Sequence, residues 1–233
     1  MPLPIRAIRQ QFDPRRIANS VLWLDSTDSS TQTMNGSTVS QWSDKSGRGN
    51  HATQTTAASQ PTRAASGING RQTITFSGTT SVRVSLSLTL PYTIVAVGKL
   101  STNNGGYQRL VAGLPDVHLV FGAVNGNYST FFGSGSAWND ITANSPSRSV
   151  MQNRIMSVSA GTSTATPYID GEALNTKTST GSAPTSLAIG GVFTGQFWQG
   201  ECGDVLIYSR ALSADELRWL HIGLSRKWSI PLA

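Results

Sequence analysis

The sequence predicts an all-β fold, a sandwich or barrel of short antiparallel strands. Three observations carry this. Of 233 residues, 38% are hydrophobic but only 13% are charged, against a usual charged share of about 25%; Ser, Thr, Gly and Asn take their place, a mixture that favours strands and turns. Apolar and polar residues alternate with period two in several short runs. Turn residues fill the gaps between them, as in sandwiches and barrels. Apolar residues recur along the whole chain, which argues against disorder, and one domain can take up this length.

In chain order, residues 1–20 form a basic N-terminal arm, MPLPIRAIRQQFDPRRIANS, stiffened by Pro2, Pro4 and Pro14. It is too short to fold alone. Residues 21–233 form the domain. VLWLD opens it as an apolar burst of strand character. QTITFSG follows from residue 72, with Ile74 and Phe76 on one face. VRVSLSLTL alternates throughout: Val82, Val84, Leu86, Leu88 and Leu90 share one face, which predicts one half-buried strand. YTIVAVGKL is continuously apolar and can be buried on both faces. RLVAGL, HLVFGAV, YSTFFGS, RIMSVSAG, ATPYIDGEAL, SLAIGGVF and DVLIYSR complete the series. Asp170-Gly171, between two short runs, is a strong hairpin signal.

A helix over 213–228 closes the chain. Ser213 is the N-cap and Glu216, three residues on, completes a capping box. Leu217, Leu220, His221, Leu224 and Trp228 form one stripe at helical spacing, and Arg226 and Lys227 suit the negative end of the helix dipole.

The net charge is +6. Arg6, Arg9, Arg15 and Arg16 crowd the arm, where Asp13 is the one acid. That arm is expected to pack against a surface, and its arginines are the candidate partner-binding residues, toward an acidic protein patch rather than nucleic acid. The one cysteine, Cys202, leaves no internal disulfide and fits a reducing compartment. MPLPIRAIRQQ lacks the apolar core of a signal peptide, and no run approaches the roughly 20 apolar residues of a membrane span. The sequons at Asn35 and Asn127 are read as accidental on that ground.

Four stretches together resemble the laminin-G-like, concanavalin A-like jelly-roll superfamily: VLWLDSTDSS with QWSDKSGRGNHATQ; YTIVAVGKL; PYIDGEAL followed by SLAIGG; and GECGDVLIYSRALSADEL before the RKWSIP end. The resemblance covers about residues 20 to 230 and implies a two-sheet antiparallel jelly-roll sandwich. It also implies that DKSGRGN is a tight turn beside a sheet. Gly47 and Gly49 would supply its backbone angles, Asp44, Ser46 and Asn50 would bond nearby backbone, and Trp42 would pack into the core edge. The variant that opens with LWLD and closes with an RKW helix is similar to domains frequent in tailed-bacteriophage virion proteins. This implies a non-enzymatic virion structural protein, made in the bacterial cytoplasm and docked on other capsid or tail subunits, as a decoration or tail-associated chain and potentially a homo-oligomer. The alternative is a glycan-binding adhesin for the host surface.

The motifs for other chemistries are poor. SGRGN lacks the phosphate-loop pattern and no helix follows it. Glycan cleavage needs two facing carboxylates about 5 to 10 Å apart. The jelly-roll glucanases carry a Glu-x-Asp-x-x-Glu-type cluster that this chain lacks. Glu172 and Glu201 stand near strands, and Glu201 and Asp204 would face opposite sides of a regular strand. No catalytic residue is assigned, and a hydrolase is the weakest reading. Cys202 reads as a small buried residue. His51, His118 and His221 are isolated, and His221 reads as a packed residue on the helix stripe. No zinc cluster is present and no cofactor is assigned. Calcium is the one metal the related folds bring to mind, with Asp25, Asp28, Asp44, Asp116 and Asp140 as candidate ligands. The lectin-like set is Trp138, Asn139 and Asp140 with Tyr107, Tyr128 and Trp198, since sugars stack on exposed aromatics and bond to amides and acids at loop tips.

Overall fold

The structure, a computed structural model, describes residues 12–114, 119–124, 126–132, 139–140, 149–178, 183–191 and 196–233. Arg6, Arg9, Asp116, His118 and Trp138 lie outside these residues.

Strands run in the order β1 (Ser20–Asp25), β2 (Gln32–Asn35), β3 (Thr38–Trp42), β4 (Ala52–Thr53), β5 (Thr62–Ala64), β6 (Thr73–Ser77), β7 (Val82–Val84), β8 (Tyr92–Leu100) and β9 (Tyr107–Leu114). Then come β10 (Leu119–Val124), β11 (Asn127–Phe132), β12 (Asn139–Asp140), β13 (Arg154–Ala160), β14 (Thr164–Ile169), β15 (Glu172–Ala173), β16 (Lys177–Thr178), β17 (Ser186–Ile189), β18 (Gln199–Tyr208) and the helix α1 (Ala214–Trp228). One sheet runs β14–β13–β8–β18, with β1 and β6 sharing the far edge of β18. The other runs β11–β10–β9–β17–β7–β4–β3. β5 bridges β3 and β6 and so joins the two. These pairings are antiparallel, and the fold is a jelly-roll sandwich.

β8 explains the layering. Its continuous apolar run is buried on both sides. Tyr92, Ile94, Ala96 and Leu100 enter the core between the sheets, while Val95 and Val97 enter a second core beneath α1. That second core exists because α1 buries Leu217, Leu220, His221, Leu224 and Trp228, the whole predicted stripe. The Ser213–Glu216 capping box is formed as well, fixing where the helix starts. Burial of large side chains of this kind contributes roughly 1.5–3 kcal/mol each. Asp170 (φ 49°) and Gly171 (φ 89°) turn β14 into β15, the paired positive φ angles of a type I′ hairpin.

One expectation is corrected, and one region had gone unread. VRVSLSLTL is a strand only over Val82–Val84. Val82, Val84 and Leu88 still fill the core, but Leu86 N donates back to the Val84 carbonyl, a tight turn that interrupts the ladder with β17 before Leu88 N reaches the Pro184 carbonyl. The polar strands β2 to β5 went unread, because two to five residues of mixed polarity show no period.

The described part of the arm packs on its own domain. Pro14 and Ile17 are buried, the Tyr208 hydroxyl donates to the Pro14 carbonyl at 3.0 Å, and Phe12 lies against Trp219 with ring centroids 5.3 Å apart. Arg15 and Arg16 are exposed. Arg15 is paired with Asp13 at 2.8 Å and sits 5.7 Å from the Trp23 ring. Among the described residues no helix is long and apolar enough to cross a membrane.

Candidate functional site

The motifs singled out in the sequence converge first on a structural junction. Asp28, Lys45, Asp25, Lys227 and Asp204 form a chain of alternating charge, with successive separations of 2.8, 2.9, 2.6 and 2.9 Å. Trp23 Nε1 donates to Asp204 Oδ1 at 3.0 Å, and Trp228 Nε1 donates to Asp204 Oδ2. Lys45 Nζ lies 4.5 Å over the Trp23 ring. Thus LWLD, DKSG, GECGD and RKW meet at one place. The Asp44 carboxylate accepts from the backbone of Trp23, Ser46 and Asn50 and closes the turn, and Trp42 is wholly buried.

The electrostatics suit a fastening. Burial opposes charge on Asp25, but Lys227, Thr27 and Lys45 outweigh it and hold that carboxyl below the usual range. Burial raises Asp204, Lys227 opposes this, and the neighbouring Asp25 adds to the rise. A buried carboxylate with two indole donors and a cation is satisfied rather than available for chemistry. Asp25 and Asp28 do converge, but lysine ammoniums take the place between the carboxylates that a calcium ion would need. Asp44 is used by the turn, and Asp140 lies apart in β12. Among the described residues no group of three or more His, Cys, Asp or Glu could hold a metal.

Glu201 and Asp204 face the same side, contrary to the regular-strand expectation. The register of β18 shifts between Cys202 and Val205, a bulge that returns Asp204 to the helix-covered face. Asp204 is buried under Trp23 and Trp228, so the pair does not flank a substrate. Ser157 Oγ and His221 Nε2 are 2.8 Å apart, which resembles a nucleophile and its base, but both are buried under α1. Burial also lowers His221 to about 4. It is a packed residue, as its place on the stripe implied.

The lectin-like set does not assemble as expected. Trp198 is wholly buried in the inner core and donates to the Glu201 carbonyl. Tyr128 is buried too, its hydroxyl donating to the Ser157 carbonyl at 2.8 Å. Both are framework residues, because an aromatic with a satisfied polar tip is a good core filler. Asn139 and Asp140 form the short edge strand β12 beside β11. Tyr107 alone of the described aromatics in the set is exposed, at 42%.

Tyr107 marks one end of the sandwich. It follows a turn in which Asn103 Oδ1 and Asn104 Oδ1 accept from Gly105 and Gly106. Leu100 N donates to the Val150 carbonyl, and Val150 N to the Gly126 carbonyl, so the segment around residues 149–153 is tied to this turn. Met151 on that segment is another exposed hydrophobic side chain, at 37%. The same segment then runs into an open cleft of about 240 Å³ lined by Asn69, Gln152, Asn153, Arg154, Asp170 and Ser229 among others. Asn69, Asp170 and Ser229 all have positive φ, a costly conformation for non-glycine residues that concentrates at functional sites. Sequence reasoning missed this cleft. Its residues come from four separate segments, and only Asp170 carried a signal, as a turn residue.

Taken together, the described residues form a two-sheet jelly roll with a polar loop-end cleft, and the carboxylates of Asp25, Asp28, Asp170 and Asp204 are held by cations. The family follows from the sequence: the profile of Laminin_G_3, in the concanavalin A-like lectin/glucanases superfamily, matches residues 76–218, and the chain belongs to that family. No curated protein matches. Among solved structures, the binding domain of Paraclostridial Mosquitocidal Protein 1 is similar with a TM-score of 0.67 and 16% identity, over 90% of this chain and 52% of that one. Domain 4 of a GH43 extracellular arabinanase from Geobacillus stearothermophilus, in complex with arabinotriose, gives 0.65 and 18% identity, over 87% of this chain and 98% of that one. Trypanosoma rangeli sialidase gives 0.63 and 18%, over 91% of this chain and 33% of that one. The chain therefore spans about half the toxin domain and a third of the sialidase, and at these identities the likeness concerns the fold.

Proposed function

We propose that this chain is a non-catalytic carbohydrate-recognition domain that binds glycans at its loop end. The observation that carries the reading is the exposed Tyr107 ring on an Asn-Gly turn, where Leu100, just before the turn, donates to Val150 of the segment that runs into a polar cleft. An aromatic face on a turn that carries the Asn103 and Asn104 amides is the surface chemistry a sugar needs, apolar on one side and hydrogen-bonding at the edge. The arabinanase domain solved with arabinotriose supports the same use of the framework. Asn139, Asp140 and Trp138 remain candidates for this surface.

A finer reading places the domain on a bacteriophage particle, as a capsid decoration or tail-associated subunit docked on other virion proteins. It rests on the LWLD and RKW stretches, which meet at the Asp25–Lys227 junction. In this reading Arg6, Arg9, Arg15 and Arg16 face the partner from an arm whose residues 12–19 already pack on the domain. Deletion should therefore stop at residue 11, since removing Pro14 and Ile17 would strip the second core.

Glycan-array binding of the intact chain, followed by titration of the Tyr107→Ala variant, tests the recognition reading. The expected result is retention of specific oligosaccharides and about tenfold weaker binding by the variant, as for loss of one stacking contact. No binding to any glycan would sink it. Quantitative mass spectrometry of purified particles tests the virion reading, which fails if the chain is absent from them.

A further inference from the structure

The cleft beside the helix end has an internal hydrogen-bond order that says what it can take. Asn69 Nδ2 donates to the carbonyls of Trp228 and Ser229, at 2.8 and 3.0 Å. Those carbonyls only accept, so the Asn69 amide is oriented with Oδ1 turned back. Asn153 Nδ2 donates to that Oδ1 at 2.8 Å. The ladder ends at Asn153 Oδ1, a buried acceptor with no hydrogen-bond partner in the structure. A buried acceptor left unmet is costly, and Asn153 is one of the residues that line the open cleft.

The charges in the cleft are already spent on each other. Arg154 Nη1 pairs with Asp170 Oδ2 at 2.6 Å, Nε donates to the Ser149 carbonyl at 2.9 Å and Nη2 to Gln152 Oε1 at 3.1 Å. Asp170 Oδ1 accepts from Ile155 N at 2.9 Å. Every guanidinium nitrogen therefore has an acceptor from the chain itself, and no arginine fork faces outward for a carboxylate or phosphate. The exposed Pro231 completes the lining with apolar surface, over Ile230 buried beneath it. The cleft thus combines an unmet acceptor, neutral amides, balanced charge and an apolar wall.

We infer that this cleft holds one ring of a neutral, hydroxyl-rich saccharide, with a sugar hydroxyl donating to Asn153 Oδ1 and the ring's apolar face against Pro231. This rests on the recognition reading above and goes further, by assigning the site and by excluding acidic sugars from it. A free hydroxyl is a donor that the ladder lacks, whereas a sugar carboxylate would bring another acceptor to an acceptor.

The test is a glycan array carrying matched neutral and sialylated oligosaccharides, probed with wild type, Asn153→Ala, Gln152→Trp and Tyr107→Ala, with thermal melts of each. Gln152 is exposed, so a Trp there obstructs the cleft without entering either core; it answers the question if Asn153→Ala fails to fold. The expected result is retention of neutral glycans by wild type, about tenfold loss in Asn153→Ala and loss in Gln152→Trp with an unchanged melt. Wild-type preference for sialylated glycans would overturn the inference. So would neutral-glycan binding that survives Gln152→Trp but falls in Tyr107→Ala, an outcome that leaves the recognition reading standing. No glycan binding by wild type would overturn both.

Discussion

Lys227 Nζ lies 2.6 Å from Asp25 Oδ1, so the last turn of the closing helix is fastened to the end of the first strand. The same ammonium reaches Asp204 at 2.9 Å, whose side chain is fully buried. One cation thus holds two acids brought together from opposite ends of the chain.

Lys227→Met should therefore be severe. It leaves Asp25 and Asp204 side by side without their shared cation, and breaking a buried pair by removing one partner costs about 3–5 kcal/mol. Urea unfolding would show a lower midpoint with an unchanged slope. Adding Asp204→Asn to this variant should recover part of the loss, because it removes one orphaned charge. A Lys227→Met protein as stable as wild type would mean the junction is ornamental.

Much of this was legible before the structure, and the misses have physical reasons. The helix, its cap and its buried stripe are local patterns and could be read directly. So could β8, nine residues long and mostly apolar, which needs cover on both sides. Asp25, Asp44, Asp204 and Lys227 were visible as motifs, but not as one cluster, because contacts between distant segments leave no local period. Trp198 and Tyr128 were misread for a related reason: next to turn residues they look exposed, while their polar tips find backbone acceptors inside. The cleft was the least legible part. Asn69 and Asn153 are 84 residues apart and meet only through the fold.

Gly203→Ala tests the bulge that turns Asp204 toward the helix. A Cβ there would stand 2.6 Å from the Trp228 ring, closer than real side chains approach. The indole is itself held by Asp204 and cannot retreat freely, so overpacking should cost about 1–3 kcal/mol. Differential scanning calorimetry would register a lower midpoint, with Trp228 fluorescence shifted. An unchanged midpoint would show that the ring has room to move.

Asp44→Ala should open the DKSGRGN turn. The carboxylate accepts from Trp23 N at 2.9 Å, Ser46 N at 2.8 Å, Ser46 Oγ at 2.7 Å and Asn50 N at 3.1 Å. Leaving part-buried donors without an acceptor costs about 1–3 kcal/mol. Asp44→Asn keeps one acceptor oxygen and should fall between. Amide hydrogen exchange at Trp23 and Asn50 would accelerate in the Ala variant, and exchange equal to wild type would refute this account of the turn.

His221 gives stability a pH dependence of defined sign. Burial under α1 lowers its folded pKa to about 4, below the roughly 6.5 of an unfolded chain. Between those values the unfolded state binds a proton that the folded state does not, so stability rises with pH across that window. Its contribution is complete above about 6.5 and is lost as pH falls toward 4, by at most about 3 kcal/mol. Asp25, held low by Lys227, acts in a separate window below the ordinary carboxylate range. Replacing both ends of the Ser157–His221 hydrogen bond, as Ser157→Ala with His221→Phe, avoids orphaning either partner. The double variant should unfold with a midpoint nearly constant from pH 6.5 to pH 4.5, where wild type loses stability steadily. An equal slope in both proteins would mean that other groups, and not the buried imidazole, set the acid sensitivity of the helix-covered core.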